Sequence, residues 1–74
     1  MSQSEFIKKI ELAKTESERQ VGKLFYDMGF TLEAIDSDIK DSNENKIGDV
    51  DLVCTFDDYV FLIEVNGEKK GLLL

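Results

Sequence analysis

The apolar residues of the first thirty positions recur at alternating spacings of three and four, which is the period of an amphipathic helix. Ser4 is a suitable N-cap, and Gly29 stands where a left-handed C-cap belongs. The pattern therefore predicts a helix over about 4–29. Thr15 with Glu18 also fits a capping box, which leaves open a break near Thr15 and a second helix after it. The predicted buried stripe consists of Phe6, Ile10, Ala13, Ser17, Val21, Leu24 and Met28.

After Gly29 the hydrophobic period changes to the alternation that is typical of strands. The pattern predicts strands over about 30–35, 47–55 and 59–65, and the polar, turn-rich run 36–46 reads as a loop. The sequence thus predicts an α/β fold in which an N-terminal helix packs on a three-stranded antiparallel β-meander. It predicts one small domain, or a fragment of one, over 1–74.

The register of the last two predicted strands follows from the short polar turn between them. A two-residue loop at Asp57-Asp58 makes every pair on one face apolar, and a slip of one residue would set apolar side chains against carboxylates. The predicted pairs are Phe56 with Tyr59, Cys54 with Phe61, Leu52 with Ile63 and Val50 with Val65.

The same register brings acidic residues together on the other face. Asp51 is predicted to lie across from Glu64, with Cβ atoms about 4.5–5.5 Å apart. Two carboxylates at that distance repel each other unless a proton, a lysine or a divalent cation lies between them. Asp49 shares this face and could supply another oxygen. The alternative is a solvated acidic strand face that binds no ligand.

Composition narrows the chemistry further. The 74 residues carry 16 acidic and 9 basic side chains, for a net charge of −7, and they include one cysteine and no histidine. Histidine-based catalysis, an internal disulfide and a zinc-finger site are therefore excluded, and a simple basic nucleic-acid-coating domain is disfavoured. No apolar run approaches 18 residues and the N-terminus is polar, so we expect no membrane span and a cytoplasmic protein.

The order of these features resembles the core of the PD-(D/E)xK nucleases, and most closely their restriction-endonuclease-like and Holliday-junction-resolvase-like members. Residues 48–53 read Gly-Asp-Val-Asp-Leu-Val, and residues 60–65 read Val-Phe-Leu-Ile-Glu-Val after a short turn. Glu18 stands eleven residues before Gly29-Phe30, where the family's upstream helix carries a glutamate. The resemblance covers roughly residues 15–66.

The resemblance implies a restriction-endonuclease-like core and Mg²⁺- or Mn²⁺-dependent hydrolysis of a DNA phosphodiester. By position, Asp51 and Glu64 would be metal ligands, Glu18 would be a further ligand, and Asp49 a possible additional one. Metal chemistry of this kind polarises the phosphoryl oxygen and lowers the pKa of a bound water. DNA is the expected substrate, and Mg²⁺ or Mn²⁺ is the expected cofactor.

Two departures from the family pattern bear on activity. Asn66 stands where the family has its lysine, and Lys69 or Lys70 could substitute from further along the chain. Asn66-Gly67 is also a strong hairpin-turn signal, and both interpretations can hold together. The family fold normally continues with another helix and strand, so we expect this chain to correspond to its N-terminal half.

These departures leave a second functional class open. The alternative to a metal-dependent endonuclease is a non-catalytic module of the same fold that serves self-association or binding of a protein partner. A half-domain with an open sheet edge is expected to self-associate, and a homodimer is the simplest expectation.

Overall fold

The computed structural model describes residues 1–65 and contains two helices followed by three strands. The elements are α1 (Gln3–Ile10), α2 (Glu16–Asp27), β1 (Thr31–Lys40), β2 (Lys46–Phe56) and β3 (Tyr59–Ile63). The strands form one antiparallel sheet in the order β1-β2-β3, and both helices pack on it. The predicted α/β fold, with a helical N-terminus on a three-stranded antiparallel meander, is confirmed.

The helical region is divided, unlike the single helix predicted over 4–29. Ser2 caps α1 through a capping box with Glu5, and Thr15 caps α2, which is the break that the sequence left open. An unbroken helix of that length would extend for about 39 Å, whereas the longest extent of the described molecule is 35 Å. The break lets both halves lie on the sheet. Neither helix of the described chain has the length and apolar character needed to cross a membrane.

The pairing of β2 with β3 follows the predicted register. Phe56 pairs with Tyr59, Cys54 with Phe61, and Leu52 with Ile63. The ladder ends at Ile63, two residues before the predicted end of the strand. The first strand is longer than predicted: β1 continues through Lys40, so half of the expected loop 36–46 is strand. The turn that remains is organised by Asp41, whose side chain accepts hydrogen bonds from two backbone N–H groups within it.

The core lies between the helices and the inner face of the sheet. Leu32, Leu52 and Cys54 are almost completely buried there, against Phe6 and Ile10 of α1. An aromatic group at the end of the sheet, formed by Phe25, Phe30, Phe56 and Phe61, joins α2 to the β2-β3 hairpin through ring contacts of 5.0–5.3 Å. The C-terminal end of α2 is thereby held against the β2-β3 hairpin.

Candidate metal site

Three carboxylates from different elements meet beside the first turn of α2. Glu18 comes from α2, Asp36 from β1 and Asp51 from β2, and one oxygen of each lies within 4.8 Å of the other two. The three residues are far apart in the sequence, so the fold alone brings them together. We refer to Glu18, Asp36 and Asp51 as the acidic cluster.

Glu18 reaches the cluster because of its position in the helix cap. It is the third residue of α2, and its backbone N–H donates to Oγ1 of Thr15 at 3.1 Å. In a complete capping box the glutamate side chain would accept from the N-cap backbone. Here Oε1 of Glu18 accepts instead from the N–H of Lys14, at 3.1 Å. The cap therefore fixes the backbone of Glu18 while its carboxyl group is directed inward, where the residue is only 6% exposed.

Burial and neighbouring charge both act on Glu18. Desolvation raises the pKa of its carboxyl group, and the charges of Asp36 and Asp51 raise it further. The hydrogen bond from the N–H of Lys14 opposes the shift but does not cancel it. Glu18 is thus held where its negative charge is disfavoured, and a proton or a cation would relieve the repulsion.

Asp51 occupies the centre of the sheet. The pairs that flank it, Ile35 with Leu52 and Ser37 with Val50, place it directly across from Asp36. Its Oδ2 accepts a hydrogen bond from the N–H of Val65 at 2.7 Å. Glu18 and Asp51 therefore each accept one hydrogen bond from a backbone N–H group. Such a bond orients the carboxylate and leaves lone pairs free for another ligand.

Asp36 is the member of the cluster that the sequence did not indicate. We expected it in a solvated loop, whereas it lies within β1 with a backbone φ of +50°. Asp tolerates this left-handed conformation better than most residues, at a cost of about 1–2 kcal/mol. The signal that could have found it is the apolar alternation of Ile35 and Ile39 on either side, which continues the strand past its predicted end.

A polar cleft of about 170 Å³ opens beside the cluster. Two lysines stand on its walls: Nζ of Lys14 lies 3.9 Å from Asp36, and Nζ of Lys46 lies 3.3 Å from Asp38 and 3.6 Å from Asp49. The cleft is lined by Lys14, Asp36, Asp38, Lys46, Asp49, Val50 and Asp51. Its four aspartates outnumber its two lysines, which are already paired, so a cation is needed in the cleft before an anionic ligand is attracted to it.

The other predicted site residues are not members of the acidic cluster. Glu64 follows the end of the β2-β3 ladder and is exposed, and it is not one of the three clustered carboxylates. Asp49 is exposed and pairs with Lys46 at the rim of the cleft. Asn66 and Lys70 lie outside the described residues. Of the predicted ligands, the structure brings Glu18 and Asp51 together and adds Asp36.

Comparisons with protein-family models, with curated proteins and with solved structures found no match to this chain. The likeness to the PD-(D/E)xK nucleases therefore remains a prediction from the sequence motifs. The functional argument depends on the geometry of the acidic cluster and its cleft.

Proposed function

We propose that this chain binds a divalent metal ion through Glu18, Asp36 and Asp51 and uses the site to hydrolyse phosphodiester bonds in DNA. The observation that carries the proposal is the convergence of three carboxylates within 4.8 Å beside a cleft that contains lysines. The order of sequence motifs supplies the expectation of DNA as the substrate.

The donor set fits a hard cation. Mg²⁺ and Mn²⁺ prefer carboxylate oxygens, and oxygens bound at about 2.1 Å to one ion lie no more than about 4.2 Å apart. At least two of the three oxygen pairs must be cis, at about 3.0 Å, so a cluster whose oxygens lie within 4.8 Å of one another would contract by up to about 2 Å through side-chain rotations on binding the ion. The raised pKa of Glu18 is consistent with this role, because a site that disfavours a third negative charge favours a cation.

Besides the bound ion, residues of the chain itself would contact the phosphate group. A bound ion supplies polarisation of the phosphoryl oxygen and a water of lowered pKa. Lys14, beside Asp36 at the mouth of the cleft, is placed to contact a phosphate oxygen and offset its charge. Because Lys14 is contributed by the segment before α2, a cation can face the cluster even though Asn66 carries no charge at the family's lysine position.

The first test is calorimetric titration of Mn²⁺ and Mg²⁺ into the wild-type protein and three matched variants. Asp36→Asn and Asp51→Asn each remove one ligand charge while keeping an oxygen acceptor. Asp38→Asn removes the same charge from the same cleft but outside the cluster, and it is the control. We expect the cluster variants to weaken metal binding at least tenfold and the control to change it less than twofold.

Two results would contradict the metal site. One is the absence of binding at about 10 mM metal, and the other is an equal loss of affinity in Asp38→Asn, which would indicate a diffuse acidic surface.

Hydrolysis is tested separately, by Mg²⁺-dependent nicking of plasmid and branched DNA by the wild type and by Asn66→Lys. Metal binding without nicking in either protein would leave a binding site and exclude the nuclease.

A further inference from the structure

The sheet edge formed by β3 is apolar and exposed. β3 is an edge strand, and within residues 1–65 no strand pairs with its other side. Its five residues, Tyr59 to Ile63, are all apolar or aromatic, and four of them are more than 40% exposed. Edge strands of monomers usually carry a charge, a proline or a bulge that prevents further pairing. β3 has none of these.

The direction of the backbone groups of β3 follows from its hairpin. Phe56 and Tyr59 close the two-residue turn and form a hydrogen-bonded pair, as do Cys54 with Phe61 and Leu52 with Ile63. In an antiparallel ladder the intervening residues point their N–H and C=O groups away from the partner strand. The free backbone groups of this edge therefore belong to Val60 and Leu62.

We propose that this edge pairs with the same edge of a second copy of the chain, antiparallel and across a twofold axis at Phe61. This inference is independent of the proposed metal chemistry. In that register Val60 of each copy lies opposite Leu62 of the other, and the free N–H and C=O groups of both residues meet. The parity of the hairpin permits this pairing, because the residues that must exchange hydrogen bonds are the two whose groups face outward.

Charge favours a second copy at this edge over one elsewhere on the surface. Residues 31–64 carry ten acidic and two basic side chains, so most surfaces of the sheet would repel a like copy. Tyr59 to Ile63 is a five-residue run of that segment without charge. Acidic side chains would meet only at the two ends of the paired strands, where Asp58 of one copy would lie opposite Glu64 of the other. Salt should therefore strengthen the association, because it screens this repulsion.

The exposed area sets the expected affinity. The side chains of β3 are exposed by 68% at Tyr59, 63% at Val60, 41% at Phe61 and 59% at Leu62. With roughly 200 Å² for a fully exposed large side chain, complete burial of these fractions in both copies would cover about 900 Å², which is the upper limit for this pairing. Stable dimers cover about 1,200–2,000 Å², so we expect a weak dimer that forms at tens to hundreds of micromolar.

The test is sedimentation equilibrium of the whole chain from about 5 to 500 µM, at about 50 and 500 mM salt. Leu62→Glu adds a carboxylate next to the proposed twofold axis, and Leu12→Glu makes the same change at a residue that is 73% exposed and lies in the segment between α1 and α2. Leu62→Thr keeps strand propensity without charge. Far-UV circular dichroism establishes that each variant is folded.

We expect the wild type to dimerise more tightly at the higher salt concentration. Leu62→Glu should raise the dissociation constant at least tenfold, Leu62→Thr severalfold, and Leu12→Glu less than twofold. A wild type that remains monomeric at 500 µM would overturn the proposal, and would indicate that residues after Val65 or another protein cover the edge. Equal effects of the substitutions at Leu62 and Leu12 would also overturn it, since association would then use another surface.

Discussion

The packing of α2 against α1 depends on one glycine, and it can be tested by a pair of substitutions. A Cβ atom at Gly22 would overlap Cδ1 of Ile10 and would lie 4.0 Å from Cδ2 of Leu52. Gly22→Ala should gain about 1 kcal/mol from helix propensity. It should lose about 1–3 kcal/mol from overpacking, because Ile10 is buried and cannot move aside freely. We therefore expect a net destabilisation of up to about 2 kcal/mol.

The second substitution identifies the cause. Ile10→Val removes Cδ1, the atom that the new methyl group would overlap, and alone should cost about 0.5–1.5 kcal/mol. In the Gly22→Ala background the same deletion relieves the overlap. The double variant should then be more stable than the sum of the two single effects by about 1–3 kcal/mol.

Urea unfolding at 25 °C, followed by far-UV circular dichroism because the chain has no tryptophan, measures these free energies. Gly48→Ala, in β2, is the control without an overlap: nothing lies within 4 Å of a Cβ there, so the change should stabilise the protein by about 0.5–1 kcal/mol. Additivity of Gly22→Ala and Ile10→Val within about 0.5 kcal/mol would refute the proposed contact. Glu18 lies one turn before Gly22 on the same face of α2, so the close approach also sets the depth of Glu18 in the acidic cluster.

Three further predictions follow from single residues. Burial and the neighbouring acids raise the folded-state pKa of Glu18 above its ordinary value of 4.5, so the folded protein holds its proton to higher pH than the unfolded chain. The free energy of unfolding should therefore fall as pH rises from 4.5 through the folded-state pKa. Urea titrations at successive pH values measure this dependence, and Glu18→Gln should make it weaker. The same pH dependence in the wild type and in Glu18→Gln would contradict the prediction. Asp57 opens the β2-β3 turn with a φ of +54°, so Asp57→Gly should stabilise the protein by about 0.5–1 kcal/mol, and thermal unfolding that is unchanged or earlier would count against this. Burial raises the pKa of the Cys54 thiol, so it should react with a thiol reagent only as the protein unfolds, whereas labelling within seconds in native buffer would show the core to be open.

The elements that could be predicted are those whose signal is local. The register of β2 with β3 followed from the Asp57-Asp58 turn and the apolar face, because a slip of one residue would have buried carboxylates. The cap at Thr15 was visible in the sequence, but the stripe from Phe6 to Met28 runs through it without interruption. Periodicity alone therefore favoured one helix, while the need to keep both halves on a short sheet favours two.

The candidate site could be predicted only in part, because it is formed by residues that are distant from one another in the sequence. Glu18 and Asp51 were indicated by motif spacing, but Asp36 was not, because its partners come from β2 and α2 rather than from adjacent residues. The polar composition of 36–46 concealed the continuation of β1. Glu64 is predicted across from Asp51; the ladder ends at Ile63, and Glu64 is exposed and is not a member of the acidic cluster, while the backbone N–H of Val65 donates to Asp51.

The raised pKa of Glu18 connects stability with the proposed chemistry. Three ionised carboxylates within 4.8 Å repel one another, and the fold accepts this cost instead of replacing Glu18 with an apolar side chain. A protonated Glu18 removes the repulsion at low pH, and a divalent cation would remove it at a pH where Glu18 is ionised. Proton and metal would then compete for one carboxyl group. A purely structural cluster requires only the proton, so metal affinity that rises with pH as Glu18 ionises is the property that distinguishes a metal site from a structural cluster of three carboxyl groups.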